Sequence, residues 1–132
     1  MRVITLYKYD NSFLRKIKTS GGHEQIAKML RNIEKGQLNG LLELHASGNS
    51  VSIDARALTL KGMLVVVNAF TAFNNYYGYN AVKLLRIISL EDDIKYWAEF
   101  RVLKYEEIIA ELEEMDASAV LEGPLRPVEL IL

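Results

Sequence analysis

The chain contains no cysteine. That removes disulfides, thiolate metal centres and cysteine nucleophiles, and it suits a reducing compartment. Histidine is almost as scarce. The two present, His23 and His45, occur in no HxxxH, HxH or HExxH spacing, so no zinc motif can be assembled from them. Both read as ordinary exposed histidines without a partner, and no metal or other cofactor is expected. Neither sign of charge prevails: 16 Lys and Arg stand against 17 Asp and Glu. A formal net charge of −1 gives no global attraction to nucleic acid or to an anionic membrane. No apolar run approaches the ~18 residues that span a bilayer. The first residues lack a basic stretch followed by an apolar one, so secretion is not expected and a cytoplasmic location is.

Chemical motifs are missing as well. Neither GxGxxG nor GxxxxGK[ST] occurs, and no acidic progression matches a calcium-binding loop. Ser47, Ser50 and Ser52 lack a nucleophile-elbow context. Gly21-Gly22 before a helix is a minimal anion site, with helix capping as the ordinary explanation. Glu91-Asp92-Asp93 reads as acidic residues at a helix start, where they complement the dipole. No catalytic residue can be named.

What is present is enough apolar material for one core. Half of the 132 residues are hydrophobic and 25 % are charged, which fits a single domain over 1–132. Abundant Glu and Lys without cysteine is compatible with a thermophilic source. The most informative stretch runs from Gly40 to Ile88. Leu42 and Leu44 alternate with Glu43 and His45, and Val51 and Ile53 alternate with polar neighbours. Ser47-Gly48-Asn49 lies between them as a turn, so the unit reads as a hairpin. Arg56–Leu60 continues the second strand through a bend, and Lys61-Gly62 is the next turn. Met63–Phe70 is the most apolar run and is expected inside a sheet. Asn74–Gly78 reads as a loop, and Tyr79–Ile88 as a helix carrying Val82, Leu85 and Ile88 on one side.

Outside that unit, Arg2–Tyr7 reads as a strand and Lys8–Lys18 as one or two helical turns, from the spacing of Phe13, Leu14 and Ile17. Ile26, Met29, Leu30 and Ile33 predict an amphipathic helix over His23–Glu34, ended by Gly36 in the left-handed conformation. Ile94–Val102 reads as a strand, with a helix as the alternative. Tyr105–Met115 reads as a helix whose apolar face is Ile108, Ile109, Leu112 and Met115. Ala117–Leu121 is a further helical turn. Gly123, Pro124 and Pro127 then force an extended tail. The expected fold is therefore α+β: a mainly antiparallel sheet with helices packed on it.

Between Gly62 and Leu85 the order of features resembles the small PATAN-type domains and related archaeal domains of unknown function. A hairpin leads through the turn glycine Gly62 to the apolar strand Leu64–Ala69. The loop glycine Gly78 and a helix with the early alanine Ala81 follow. The helix over 23–33 and Gly40-Leu41-Leu42 resemble the opening of those domains. Lys61 departs from the pattern, because an acidic residue usually precedes the turn glycine there. The resemblance implies an interaction module in signalling and supplies no catalytic residues.

Three readings of function compete. The first is a non-enzymatic interaction or regulatory module. Its candidate surface is Asn74, Asn75, Tyr76, Tyr77 and Tyr79, because tyrosine and asparagine combine apolar area with hydrogen-bonding tips. Its partner is another protein or a second copy, the latter through a homodimer formed by the apolar tail Val128, Leu130, Ile131 and Leu132. Docking of that tail within its own chain is the alternative. The aromatic set Tyr96, Trp97 and Phe100 also has no obvious partner. The second reading is a small enzyme with a dispersed site at His45, Asp54 and Arg56, converging with the 74–79 loop. Binding of nucleic acid ranks third, since net charge opposes it.

Overall fold

The structure, a computed structural model, describes residues 16–131. The strand expected at Arg2–Tyr7, the positions Phe13 and Leu14, and Leu132 lie outside the described residues. In chain order the elements are β1 (Lys16–Gly21), α1 (His23–Lys35), β2 (Gly40–Ser47), β3 (Ser52–Leu60), β4 (Met63–Phe70), β5 (Asn75–Tyr77), α2 (Tyr79–Ile88), β6 (Lys95–Val102), α3 (Tyr105–Glu114) and β7 (Val120–Leu125). Short 3-10 turns at Ala117–Ala119 and Pro127–Leu130 flank β7.

The strands form one antiparallel sheet in the order β1-β6-β2-β3-β4-β5, with β7 pairing β4 beside β5. The expected α+β fold is therefore the one observed. β4 lies inside the sheet, with β3 on one side and β5 and β7 on the other. Leu64, Val66, Val67 and Ala69 are all buried, on both of its faces. β3 does run through the Arg56–Leu60 bend, where the register with β4 shifts between Leu58 and Thr59. The next turn has two residues. Lys61 (φ 52°) and Gly62 (φ 81°) both take positive φ, the geometry that matches strand twist in a tight hairpin.

One face of the sheet carries the main core. Ile26, Met29, Leu30 and Ile33 of α1, and Ala81, Val82, Leu85 and Ile88 of α2, pack on Leu42, Leu44, Ile53, Val67 and Phe100. Each large side chain so buried is worth about 1.5–3 kcal/mol. Among the described residues, the opposite face is covered at one end only. There Ile108 of α3 and Ala119 meet Leu41, Leu58, Val66 and Leu103.

Several local expectations are corrected. Lys16–Lys18 is strand, because the Lys-Ile-Lys-Thr alternation pairs with β6 (Lys16 opposite Arg101, Lys18 opposite Glu99). α1 does stop at Gly36, but that residue stays right-handed (φ −79°). Gln37 takes the positive φ, and Leu38 N–H reaches back to the Ile33 carbonyl at 3.1 Å. Asn75–Tyr77 is a short strand rather than a loop, since β4 offers it a free edge. Glu91-Asp92-Asp93 follows the C-terminus of α2 and starts no helix. Of the α3 stripe only Ile108 is buried, while Ile109 and Leu112 are each 37 % exposed. Only Ala117–Ala119 of the 117–121 segment is helical, and Val120 onward is β7.

The tail is corrected too. Pro127 begins a 3-10 turn instead of extending the chain, because its fixed φ suits the first position of a helical turn equally well. Leu130 and Ile131 are 1 % and 3 % exposed within the main core, against α1 and α2. Arg86 fastens the segment: its Nε donates to the Glu129 carbonyl at 2.8 Å, and its Nη2 donates to Oε1 of Glu129 at 2.9 Å. Intramolecular docking is thus the arrangement found. Val128, Leu130 and Ile131 are spent on their own core, so a dimer built on them loses its basis.

Candidate functional site

Strand alternation sends every second side chain to the half-covered face, and the antiparallel register aligns them into rows. The row farthest from α3 is Ser20, Trp97, His45, Asp54, Phe70 and Asn75, one residue from each of β1, β6, β2, β3, β4 and β5. The next row is Lys18, Glu99, Glu43, Arg56, Asn68 and Tyr77. The third reaches Leu41, Leu58 and Val66, which lie under α3. Among the described residues, no helix lies over the first row. Trp97 is 44 % exposed, a large apolar area to leave in water.

Charge organises the middle row. Arg56 lies between two carboxylates, Glu43 at 3.7 Å and Glu111 of α3 at 3.1 Å, and so ties the helix to the sheet. Lys16 pairs with Glu99 at 3.7 Å. All these pairs are partly exposed, so each contributes at most about 1 kcal/mol. They fix orientation more than stability.

The histidine expectation is corrected here: both rings have partners. His45 Nδ1 lies 2.8 Å from Oδ1 of Asp54, directly opposite on β3, and its Nε2 lies 3.4 Å from the Ser52 hydroxyl. His23 Nε2 donates to the Ser89 carbonyl at 2.9 Å, at the C-terminus of α2. Its ring stands edge-on to Tyr96, with centroids 5.9 Å apart. That contact satisfies a carbonyl left over by the helix end. Partners 9 and 66 residues away cannot be read from local spacing.

The residues His45, Asp54 and Arg56 are therefore neighbours on one face. The hollow they line, with Glu43, Phe70 and Trp97, has a volume of about 190 Å³. That is below the ~300–1,000 Å³ usual for small-molecule sites. The order Ser52–His45–Asp54 is that of a hydrolase relay. However, the Asp54 and His45 side chains are 55 % and 38 % exposed, and a relay needs its carboxylate desolvated to hold the ring. Among the described residues no three His, Asp or Glu groups gather as a metal site. The Gly22 N–H at the start of α1 is taken by Oε1 of Gln25 at 2.9 Å, so capping is what Gly21-Gly22 serves.

The tyrosine-rich segment is divided by the strand it forms. Asn75 and Tyr77 belong to the rows of the open face. Tyr76 points to the main core on the other side and packs against it. Asn74 lies exposed in the turn before β5, its carbonyl accepting from Thr71 N–H at 2.9 Å. Tyr79, at the start of α2, is exposed beneath Arg86, whose guanidinium carbon is 5.9 Å from the ring centre. The aromatic set of β6 divides in the same way: Tyr96 and Phe100 are buried while Trp97 faces out. Trp97 and Phe70 are the residues that sequence reasoning did not place on a site. The available signal was the alternation Lys95-Trp97-Glu99-Arg101 against Tyr96-Ala98-Phe100, which sets the tryptophan among polar residues.

Comparison with protein-family models, with curated proteins and with solved structures finds no match for this chain.

Proposed function

We propose that the chain is a non-enzymatic protein-interaction module that binds through the uncovered half of its sheet. The observation that carries this reading is Trp97, exposed as the second of six residues in a row that also holds Phe70 and Asn75. A tryptophan ringed by polar groups is the composition of an energetic centre in a protein interface. Asn75 and Tyr77 extend the same surface to the sheet edge, whereas Tyr76 packs on the main core and Tyr79 lies exposed at the start of α2. The resemblance to PATAN-type domains implies the same kind of role. The formal net charge of −1 gives nucleic acid no overall attraction to the chain.

The test is affinity capture with the wild-type chain and with Trp97→Ala, the two matched in melting temperature. A protein retained by the first and lost from the second supports the reading. Identical captured sets contradict it.

A hydrolase is the second reading, favoured by the Ser52–His45–Asp54 line alone. Labelling by a fluorophosphonate that disappears in Ser52→Ala would establish it. Absence of labelling would remove it.

A further inference from the structure

We propose that the uncovered face receives a second copy of this chain, with α3 of each copy lying over the β1–β6 strip of the other. This rests on the reading of that face as a binding surface and names its occupant.

The first argument is space. A helix is about 10 Å across, roughly two strand spacings. α3 reaches the β3–β4 side of its own sheet, through Ile108 and through Glu111 to Arg56. Among the described residues, the strip over β6 and β1 is left with room for one more helix.

The second argument is charge. α3 carries Glu106, Glu107, Glu111, Glu113 and Glu114 and no basic residue. The β1–β6 strip carries Lys16, Lys18, Lys95 and Arg101 against the single Glu99. Among the described residues Lys18, Lys95 and Arg101 make no ion pair. Helix and strip are thus complementary, and among the described residues only the Lys16–Glu99 and Arg56–Glu111 pairs offset their charge within the chain.

The third argument is apolar surface. Ile109 and Leu112 on α3 are each 37 % exposed and Tyr105 is 66 % exposed, although their spacing is that of a packing stripe. Trp97 stands in the strip as their counterpart.

The fourth argument is symmetry. Helix and strip lie on the same face of one sheet, so apposing two such faces about a two-fold axis satisfies both contacts at once. That is the requirement for a closed isologous dimer.

The experiment is molar mass in solution by sedimentation equilibrium, on the full chain of 15.0 kDa, over a range of concentration and salt. A concentration-dependent rise to twice the monomer mass is expected, weakened by salt. Two charge-reversed variants are then made: Lys18→Glu with Lys95→Glu, and Glu113→Lys with Glu114→Lys. Each alone should dissociate at least tenfold more readily while keeping its circular dichroism and melting temperature. Mixed together, they should associate again, because an acidic strip then meets a basic helix and the reverse. A wild-type mass of one chain at all concentrations would overturn the proposal, as would a dimer indifferent to both reversals. In either case, Trp97-dependent capture of a different protein would leave the module reading standing, and failure of that capture would remove it too.

Discussion

Leu130→Ala tests whether the C-terminal turn belongs to the core. Leu130 is 1 % exposed and Ile131 is 3 % exposed, packed in the cluster that joins α1, α2 and the sheet. Truncating a fully buried leucine costs about 2–5 kcal/mol, from lost transfer free energy plus the cavity left behind. Arg86 and Glu129 hold the turn in place by two hydrogen bonds, which limits collapse around the cavity and favours the upper part of that range. Unfolding entropy near the midpoint is about 2.1 cal/mol/K per residue. For 132 residues a loss of about 3 kcal/mol then lowers Tm by roughly 10 °C. Thermal and urea unfolding, followed by circular dichroism, read this directly. The molar mass of the variant should equal that of the wild type, since the turn serves the fold and takes no part in association. A Tm within about 2 °C of the parent is what a surface substitution gives, and it would refute the packing argument.

Three further outcomes follow from single contacts. Gly78 sits at φ 62° and ψ −133°, where an added Cβ would meet the Ser118 carbonyl oxygen at 2.7 Å, so Gly78→Ala should cost about 2–4 kcal/mol. An unchanged urea midpoint would contradict that. Burial pushes the Tyr96 hydroxyl up from 10.0 to about 12. The stability this confers is fully present below pH 10 and is lost as pH rises toward 12, because the unfolded chain ionises first. Urea midpoints of Tyr96→Phe should fall less steeply across that window, and parallel slopes would refute the assignment. His23→Ala removes the donor to the Ser89 carbonyl and should cost about 1 kcal/mol, a loss that no change in midpoint would disprove.

What could be read in the sequence was whatever has a local period. The stripe Ile26, Met29, Leu30, Ile33 marked α1, and the run Met63–Phe70 marked the buried strand β4. The boundaries Tyr79 and Ile88 followed from Gly78 and the end of the apolar spacing. What escaped depends on pairing at a distance. Period-two alternation assigns residues to two faces without saying which face a helix covers. For that reason the sequence presents Trp97 together with Tyr96 and Phe100, its opposites across the sheet. The tyrosine segment reads as a loop because three residues are too few to show alternation, although β4 extends them. Ile109 and Leu112 belong to a helical stripe, but the cluster beneath α3 is too small to receive more than Ile108. The tail misled through proline, whose fixed φ is shared by extended chain and by the first residue of a helical turn.

Trp97 is the only tryptophan in the chain, so its fluorescence reports on the candidate surface alone. The most direct measurement is acrylamide quenching of that emission across protein concentration, with sedimentation giving the mass at each point. The account predicts ready quenching in dilute folded protein, as 44 % exposure requires, and protection that grows in step with the dimer. Quenching that stays the same from dilute to concentrated protein would contradict it.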